Sequence, residues 1–300
     1  MNEFIKITNP QFQKDLQSNY ENNKEFQNFI NALEKDNFNF EYLNHEKKLV
    51  EEYFESVSLC SNLENECHQE VMGFRKKIEF LNKNFFITLT RCIHSQNPKL
   101  LFQTNYIYDD FPGEFKEKSF RDLKNVDDED RLKLLQFCNN FIKERDSVTF
   151  QKGFYLFGSS RTGKTFLTAL FMNKLILKTE MKVAFINANK IIWILKENWG
   201  YSGNTEFLYK KLLSAKYLVI DNLGLEPMTN YYRDEFFVPL LNDRFNRNLP
   251  TFFLSVYKID DLQKIYTFSS GRTELVRANA FFTLLKKMTQ CFELKRVIES

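Results

Sequence analysis

Apolar residues in the first half of the chain recur mostly every three or four positions. Phe12, Leu16 and Tyr20 form one stripe, Phe26, Phe29, Ile30 and Leu33 a second, and Leu49, Val50, Tyr53, Phe54 and Val57 a third. Spacing of this kind predicts amphipathic helices. Runs of Asn, Glu and Lys separate the stripes. Two readings fit: a small helical bundle with solvated outer faces, or a module that docks another protein. Residues 71–86 are amphipathic and basic, and Phe85 to Leu89 reads as a strand. Asn97-Pro98 and Phe111-Pro112-Gly113 read as turns. A boundary between them divides the chain into 1–110, smaller and mainly helical, and 111–300.

The pattern then changes. Asp127 to Asp130 open a helix whose apolar face carries Leu134, Leu135, Phe137, Cys138, Phe141 and Ile142. Short apolar runs at Phe154–Phe157, Val183–Ile186, Tyr217–Ile220, Thr251–Val256 and Cys291–Val297 read as strands. Helical segments lie between them at 191–199, 207–213, 233–246, 262–266 and 272–288. Strands alternating with helices predict an α/β fold in three layers, with a parallel sheet joined by crossovers. The chain stops soon after the last strand, so no helical lid is expected beyond it.

The first of these strands runs into Gly158-Ser159-Ser160-Arg161-Thr162-Gly163-Lys164-Thr165, followed by Phe166 and an apolar-periodic helix. Strand, G-x-x-x-x-G-K-T and helix together make a phosphate cradle, or P-loop. Glycine lets the backbone turn its N–H groups inward, and the helix start adds the positive end of its dipole. Lys164 is expected on the β- and γ-phosphates and Thr165 on Mg²⁺, which makes ATP the expected ligand. Tyr217-Leu-Val-Ile-Asp221 ends in an acid where such a site needs a second group for Mg²⁺. The next position holds Asn222, whose amide can orient water but cannot take its proton. Glu226, four residues on, is the candidate to do so.

Net charge is +3, so a nucleic-acid site would have to be a local patch. No apolar run approaches the ~18 residues of a membrane span and no signal-like leader is present, which predicts a cytoplasmic protein. Five cysteines do not suggest a disulfide framework. Cys60, Cys67, His68, Cys92 and His94 are clustered, and thiolates and imidazoles at such separations can hold Zn²⁺. They lack a Cys-x-x-Cys knuckle, and buried thiols are also ordinary core residues.

Residues 217–226, Tyr232-Arg-Asp-Glu235, Asn248-Leu-Pro-Thr-Phe-Phe253 and Tyr266-Thr-Phe-Ser269 resemble the DnaI/DnaC type of bacterial helicase loader, nearer to DnaI. These are AAA+ ATPases of the replication-initiator clade. The resemblance runs from about Ser119 to Leu294, and more weakly through Cys60 to Gly73-Phe74. It implies a core that binds ATP and single-stranded DNA. It also implies an N-terminal domain that binds the replicative hexameric helicase of the DnaB family and holds zinc. Cys60, Cys67 and Cys92 match best, with His68 or His94 as fourth ligand.

Departures from the family pattern bear on activity. The family usually has an acid where Asn222 stands and a γ-phosphate-sensing Asn where Val256 stands. It also carries an Arg that can act on a neighbouring copy's nucleotide near Ala280, where Arg272 and Arg277 are the nearest cations. Together these imply binding with weak hydrolysis, and the resemblance leaves self-association as a further expectation. Lys190, Lys196, Lys210 and Lys211, near Trp193 and Trp199, are candidates for single-stranded DNA, or else solvated lysines around core tryptophans. Three functions follow: a loader whose ATP hydrolysis triggers release, a nucleotide-gated adaptor with little turnover, or a transposition-helper ATPase of the same clade.

Overall fold

The computed structural model describes residues 22–34, 46–60, 66–81, 84–123, 128–144, 151–197, 202–267 and 271–296. The first apolar stripe, at 12–20, lies outside them, as does Trp199. The chain divides into two compact units, 1–100 and 101–300.

The N-terminal unit contains two of the expected helices, α1 (Lys24–Glu34) and α2 (Lys47–Ser58). Phe26 and Ile30 of α1 and Val50 and Tyr53 of α2 form a small core with Ile78. Ile78 lies on β1 (Phe74–Leu81), which pairs antiparallel with β2 (Asn84–Arg91), so the basic amphipathic stretch is half of a hairpin. Its charges explain the pattern. Arg75 pairs with Glu25 and Lys76 with Glu52, so the basic residues fasten the hairpin to both helices.

The C-terminal unit is built on a six-stranded sheet in the order β3-β5-β6-β7-β4-β8, parallel throughout. Its strands are β3 (Tyr106–Asp109), β4 (Gly153–Phe157), β5 (Val183–Asn187), β6 (Tyr217–Leu223), β7 (Thr251–Ser255) and β8 (Thr289–Glu293). Every second residue faces one side. Phe154, Leu156, Val183, Phe185, Val219, Phe252 and Leu254 pack under α4 (Glu129–Lys143) and α5 (Lys164–Thr179). Tyr155, Ala184, Ile186, Leu218, Ile220 and Phe253 pack on the other side. There they meet α6 (Ala188–Glu197), α7 (Ser202–Ser214), α8 (Val238–Asn246), α9 (Ile259–Ile265) and α10 (Arg272–Met288). Both faces are covered, so the strands read as continuous apolar runs. The expected three-layer architecture is the one observed.

Two elements escaped the periodicity. Pro98 opens a short helix, α3 (Pro98–Asn105), in which the Asn97 side chain accepts from the Lys99 N–H at 3.0 Å, so this turn is a helix start. It feeds directly into β3, a four-residue edge strand rich in tyrosine. The helix expected at 207–213 begins earlier, since α7 opens at Ser202.

Fully buried Arg244 fastens the far end of the sheet. It donates to the carbonyls of Leu212, Ala215, Lys216 and Pro250 and to the Thr251 hydroxyl, at 2.8–3.3 Å. These groups end α7 and open β6 and β7. No helix among the described residues is long and apolar enough to cross a membrane.

Candidate functional site

The loop after β4 closes around Lys164. Gly158 has φ +150°, and a Cβ there would lie 2.1 Å from the Leu294 carbonyl oxygen, so the position requires glycine. Gly163 (φ 85°) caps α5 at its N-terminus. Arg161 also has positive φ and is exposed beside exposed Ser159 and Ser160. Thr162 is buried, its hydroxyl donating to the Ser159 carbonyl at 3.0 Å. Phe166, in the first turn of α5, packs edge-on against Phe115 at 5.0 Å.

The Lys164 ammonium donates to the carbonyls of Gly158 and Ser159, both at 2.8 Å, with the Thr162 hydroxyl at 3.4 Å. Burial lowers its pKa, and nearby Asp221 opposes that. Thr165 donates its hydroxyl to Asp221 Oδ2 at 2.8 Å, and the Asn222 N–H donates to Oδ1 at 2.7 Å. Burial raises the Asp221 carboxyl above its usual range, while these two donors and Lys164 act the other way. The acid-tipped strand is not adjacent to the P-loop strand: β7 lies between them in the sheet. The side chains nonetheless meet at the carboxyl ends of the strands, where ligands bind in such sheets. Hydroxyl and carboxylate converging beside an ammonium suit Mg²⁺ and phosphate.

Arg131 was not singled out by the sequence. It sits in the first turn of α4, which Asp128 caps, and pairs with that acid at 2.6 Å. Its guanidinium also donates to the Thr162 carbonyl at 3.1 Å and the Arg296 carbonyl at 2.7 Å. An arginine three residues after a capping acid is a weak signal, and its reach to the loop is tertiary.

The candidate residues for hydrolysis lie at the tip of β6 and in the turn that follows it. Asn222 has φ 59° and is partly exposed at the strand tip. Glu226 is buried, with both carboxylate oxygens engaged: the Gly224 N–H donates to Oε2 at 2.7 Å, and the Tyr266 hydroxyl donates to Oε1. Burial pushes its carboxyl up to about 7. Those two hydrogen bonds tie Glu226 to the turn at Gly224 and to Tyr266. Ser255 likewise donates to the Leu223 carbonyl at 2.6 Å and accepts from the Tyr257 N–H, which fixes the β6–β7 junction. Fully buried Arg233 holds Asp234, Glu274 at the start of α10 and the Tyr266 carbonyl. Arg272 and Arg277 on α10 are exposed, and Arg277 lies 3.7 Å from Asp234.

A second cluster lies on the β3 edge. The ammonium groups of Lys190 and Lys211 sit over the Tyr108 ring at 5.3 and 4.6 Å, and Lys211 also approaches Phe207 at 5.6 Å. Asp110 holds Lys190 at 2.5 Å. Lys190, Trp193 and Lys196 follow one face of α6, and Trp193 is 56% exposed, not core. Lys210 is paired with Glu206. Tyr108 joins these lysines only through the fold, whereas Phe207 and Lys211 are neighbours one turn apart on α7.

In the N-terminal unit the thiols of Cys60 and Cys92 and the His94 imidazole present ligand atoms within 4.8 Å of one another, all three residues buried. Cys67 Sγ is 3.9 Å from Cys92 Sγ. His68 is exposed and His94 is buried beside Cys92, because the turn after β2 returns His94 to the thiols. Of the two candidate histidines it is His94, not His68, whose imidazole lies beside the thiols. Burial, with Cys60 and Cys67 close by, pushes the Cys92 thiol up to about 11. Three thiols and an imidazole at these separations fit a tetrahedral Zn²⁺ set.

A family model described as IstB-like ATP binding protein matches residues 115–251. The replicative helicase loader DnaI of Bacillus subtilis (strain 168) is 29% identical over 284 residues, 90% of this chain and 88% of that protein. A crystal structure of DnaI superimposes with a TM-score of 0.57 at 26% identity, covering 64% of this chain and 98% of that one. A primosome component from Streptococcus pyogenes serotype M3 shares the fold, with a TM-score of 0.53 at 20% identity over 67% of this chain and 98% of its own. Along nine-tenths of its sequence, and in the fold they share, this chain is similar to the DnaI-type helicase loaders, as residues 217–269 indicate.

Proposed function

We propose that this protein is an ATP-binding helicase loader, which brings a hexameric replicative helicase of the DnaB family onto single-stranded DNA in the cytoplasm. The observation that carries the reading is the extent of the similarity. The ATP-binding family model stops within 115–251, whereas the likeness to the B. subtilis loader takes in both units. A transposition helper of the same clade would need only the core.

In this reading the amides of residues 158–166, with Lys164, hold the triphosphate, and Thr165 and Asp221 hold Mg²⁺. Nucleotide binding would act mainly as a gate, with slow turnover. Support comes from Asn222 at the water-orienting position and from Glu226, whose oxygens are both occupied. Residues 1–110 would grip the helicase, with zinc on Cys60, Cys67, Cys92 and His94 as its structural centre. Lys190, Lys211, Tyr108, Phe207 and Trp193 would line the DNA path, with aromatic faces for bases and ammonium groups for phosphates. Arg272 and Arg277 would face a second copy on self-association.

The test is reconstitution of loading. The purified chain is mixed with the hexameric helicase of its host and circular single-stranded DNA, with and without ATP. Stable co-elution and ATP-dependent transfer of helicase to the circle support the proposal, and Lys164→Ala should abolish the transfer. Absence of any complex with the helicase would overturn it.

A further inference from the structure

The metal-binding set proposed above is held by a residue that is not itself a ligand. Gln69 is buried between α2 and the thiols. Its carboxamide nitrogen donates to Cys60 Sγ at 3.0 Å and to the Ser56 carbonyl at 2.5 Å. Its oxygen accepts from the Ser56 hydroxyl at 2.7 Å. That hydroxyl in turn accepts the Lys76 N–H of β1 at 2.8 Å.

The orientation of the amide follows from this network. A backbone carbonyl can only accept, so the atom facing Ser56 O must be the NH₂ group. The second N–H of that group then has one place to go, the Cys60 sulfur. All of the polar capacity that matters is used, at a buried site where an unmade bond is costly. Nearby, Gly73 (φ +84°) donates its N–H to Cys67 Sγ at 3.3 Å while its carbonyl accepts from the Cys92 N–H at 3.0 Å. Two of the three sulfurs thus receive an N–H, one of them from a side chain.

We infer that Gln69 is a positioning residue of this metal site: it donates a hydrogen bond to the Cys60 sulfur and, through Ser56, ties that sulfur to α2 and β1. The inference rests on the zinc reading of the cluster. A thiolate bound to zinc keeps excess negative charge, and an N–H aimed at it stabilises the bound form and fixes the ligand's direction. The same contact makes metal occupancy felt in the packing of α2, whose Val50 and Tyr53 belong to the small core of the unit.

The test uses the full chain, stripped of metal, with zinc alone titrated in competition with a chromophoric chelator and Co²⁺ as a spectroscopic substitute. Gln69→Leu keeps the bulk and removes the donor. It should weaken zinc binding by about 10- to 100-fold and shift the sulfur-to-cobalt charge-transfer band. Gln69→Glu should weaken it at least as much, because a carboxylate then faces the thiolate. Ser56→Ala, a smaller change, should shift both readouts in the same direction by less. It decides the question if Gln69→Leu does not fold. A wild-type chain that takes up no zinc overturns the metal reading and this inference with it. Tight wild-type binding, with variants within about twofold and an unaltered cobalt spectrum, overturns the role of Gln69 and leaves the metal reading standing.

Discussion

Thr165 and Asp221 touch at 2.8 Å although 56 residues separate them and β7 stands between their strands in the sheet. The helix start after β4 and the tip of β6 converge above the sheet's carboxyl edge. Beyond that pair the site changes character. Asn222 carries an amide, Val256 is aliphatic, and the Glu226 carboxylate accepts from Gly224 and Tyr266.

Turnover should therefore be slow for a reason that can be altered. Asn222 sits at φ 59°, a conformation aspartate also tolerates. Asn222→Asp restores an acid without reshaping the strand tip, and phosphate release should rise by at least about 10-fold. An unchanged rate would show that the amide is not what limits hydrolysis.

Glu226 makes stability depend on pH. Its folded carboxyl lies at about 7, raised by burial from 4.5. The fold thus favours the protonated form. That contribution is complete below about pH 4.5, declines as pH rises toward 7, and amounts to up to about 3 kcal/mol. Glu226→Gln mimics the protonated group, so denaturant midpoints should be nearly flat across this window for the variant and fall for wild type. Parallel curves would contradict the assignment.

Arg244→Leu removes a buried cation that serves four carbonyls and a hydroxyl. Those acceptors would be left in the interior, which costs about 3 kcal/mol or more. Burial lowers the Arg244 pKa to about 9, and Arg244→Lys should recover only part of the loss because one ammonium cannot span five acceptors. Urea denaturation measures both, and a loss under about 1 kcal/mol for Leu would refute the role.

The β3-edge cluster predicts two separable effects on binding of a single-stranded oligonucleotide. Lys190→Ala with Lys211→Ala should weaken binding and reduce its salt dependence, by a slope change of about 1.4 for two phosphate contacts. Phe207→Ala or Trp193→Ala should weaken binding by about 1–3 kcal/mol and leave the slope as it was. Equal slopes for the lysine variant would place the DNA elsewhere.

The sequence made the core legible because its signals are local. The P-loop spacing, the acid-tipped strand and the continuous apolar runs each stand within a dozen residues. Other features are decided only by the fold. β3 is four residues long, too short for periodicity to register. The basic stretch at 74–81 reads as amphipathic whether it is helix or strand, and pairing with β2 decides. His68 and His94 are equivalent by spacing, and the turn after β2 separates them. Distance along the chain puts Glu226 near the chemistry, and its bonds to Gly224 and Tyr266 become visible only in the fold.

The measurement closest to the centre of this account is titration of a fluorescent non-hydrolysable ATP analogue into the full chain, with and without Mg²⁺. Wild type should bind one analogue per chain, more tightly with Mg²⁺. Lys164→Ala should bind none, and Asp221→Asn should bind with the Mg²⁺ effect lost. Analogue binding that is indifferent to both substitutions and to the metal would contradict it.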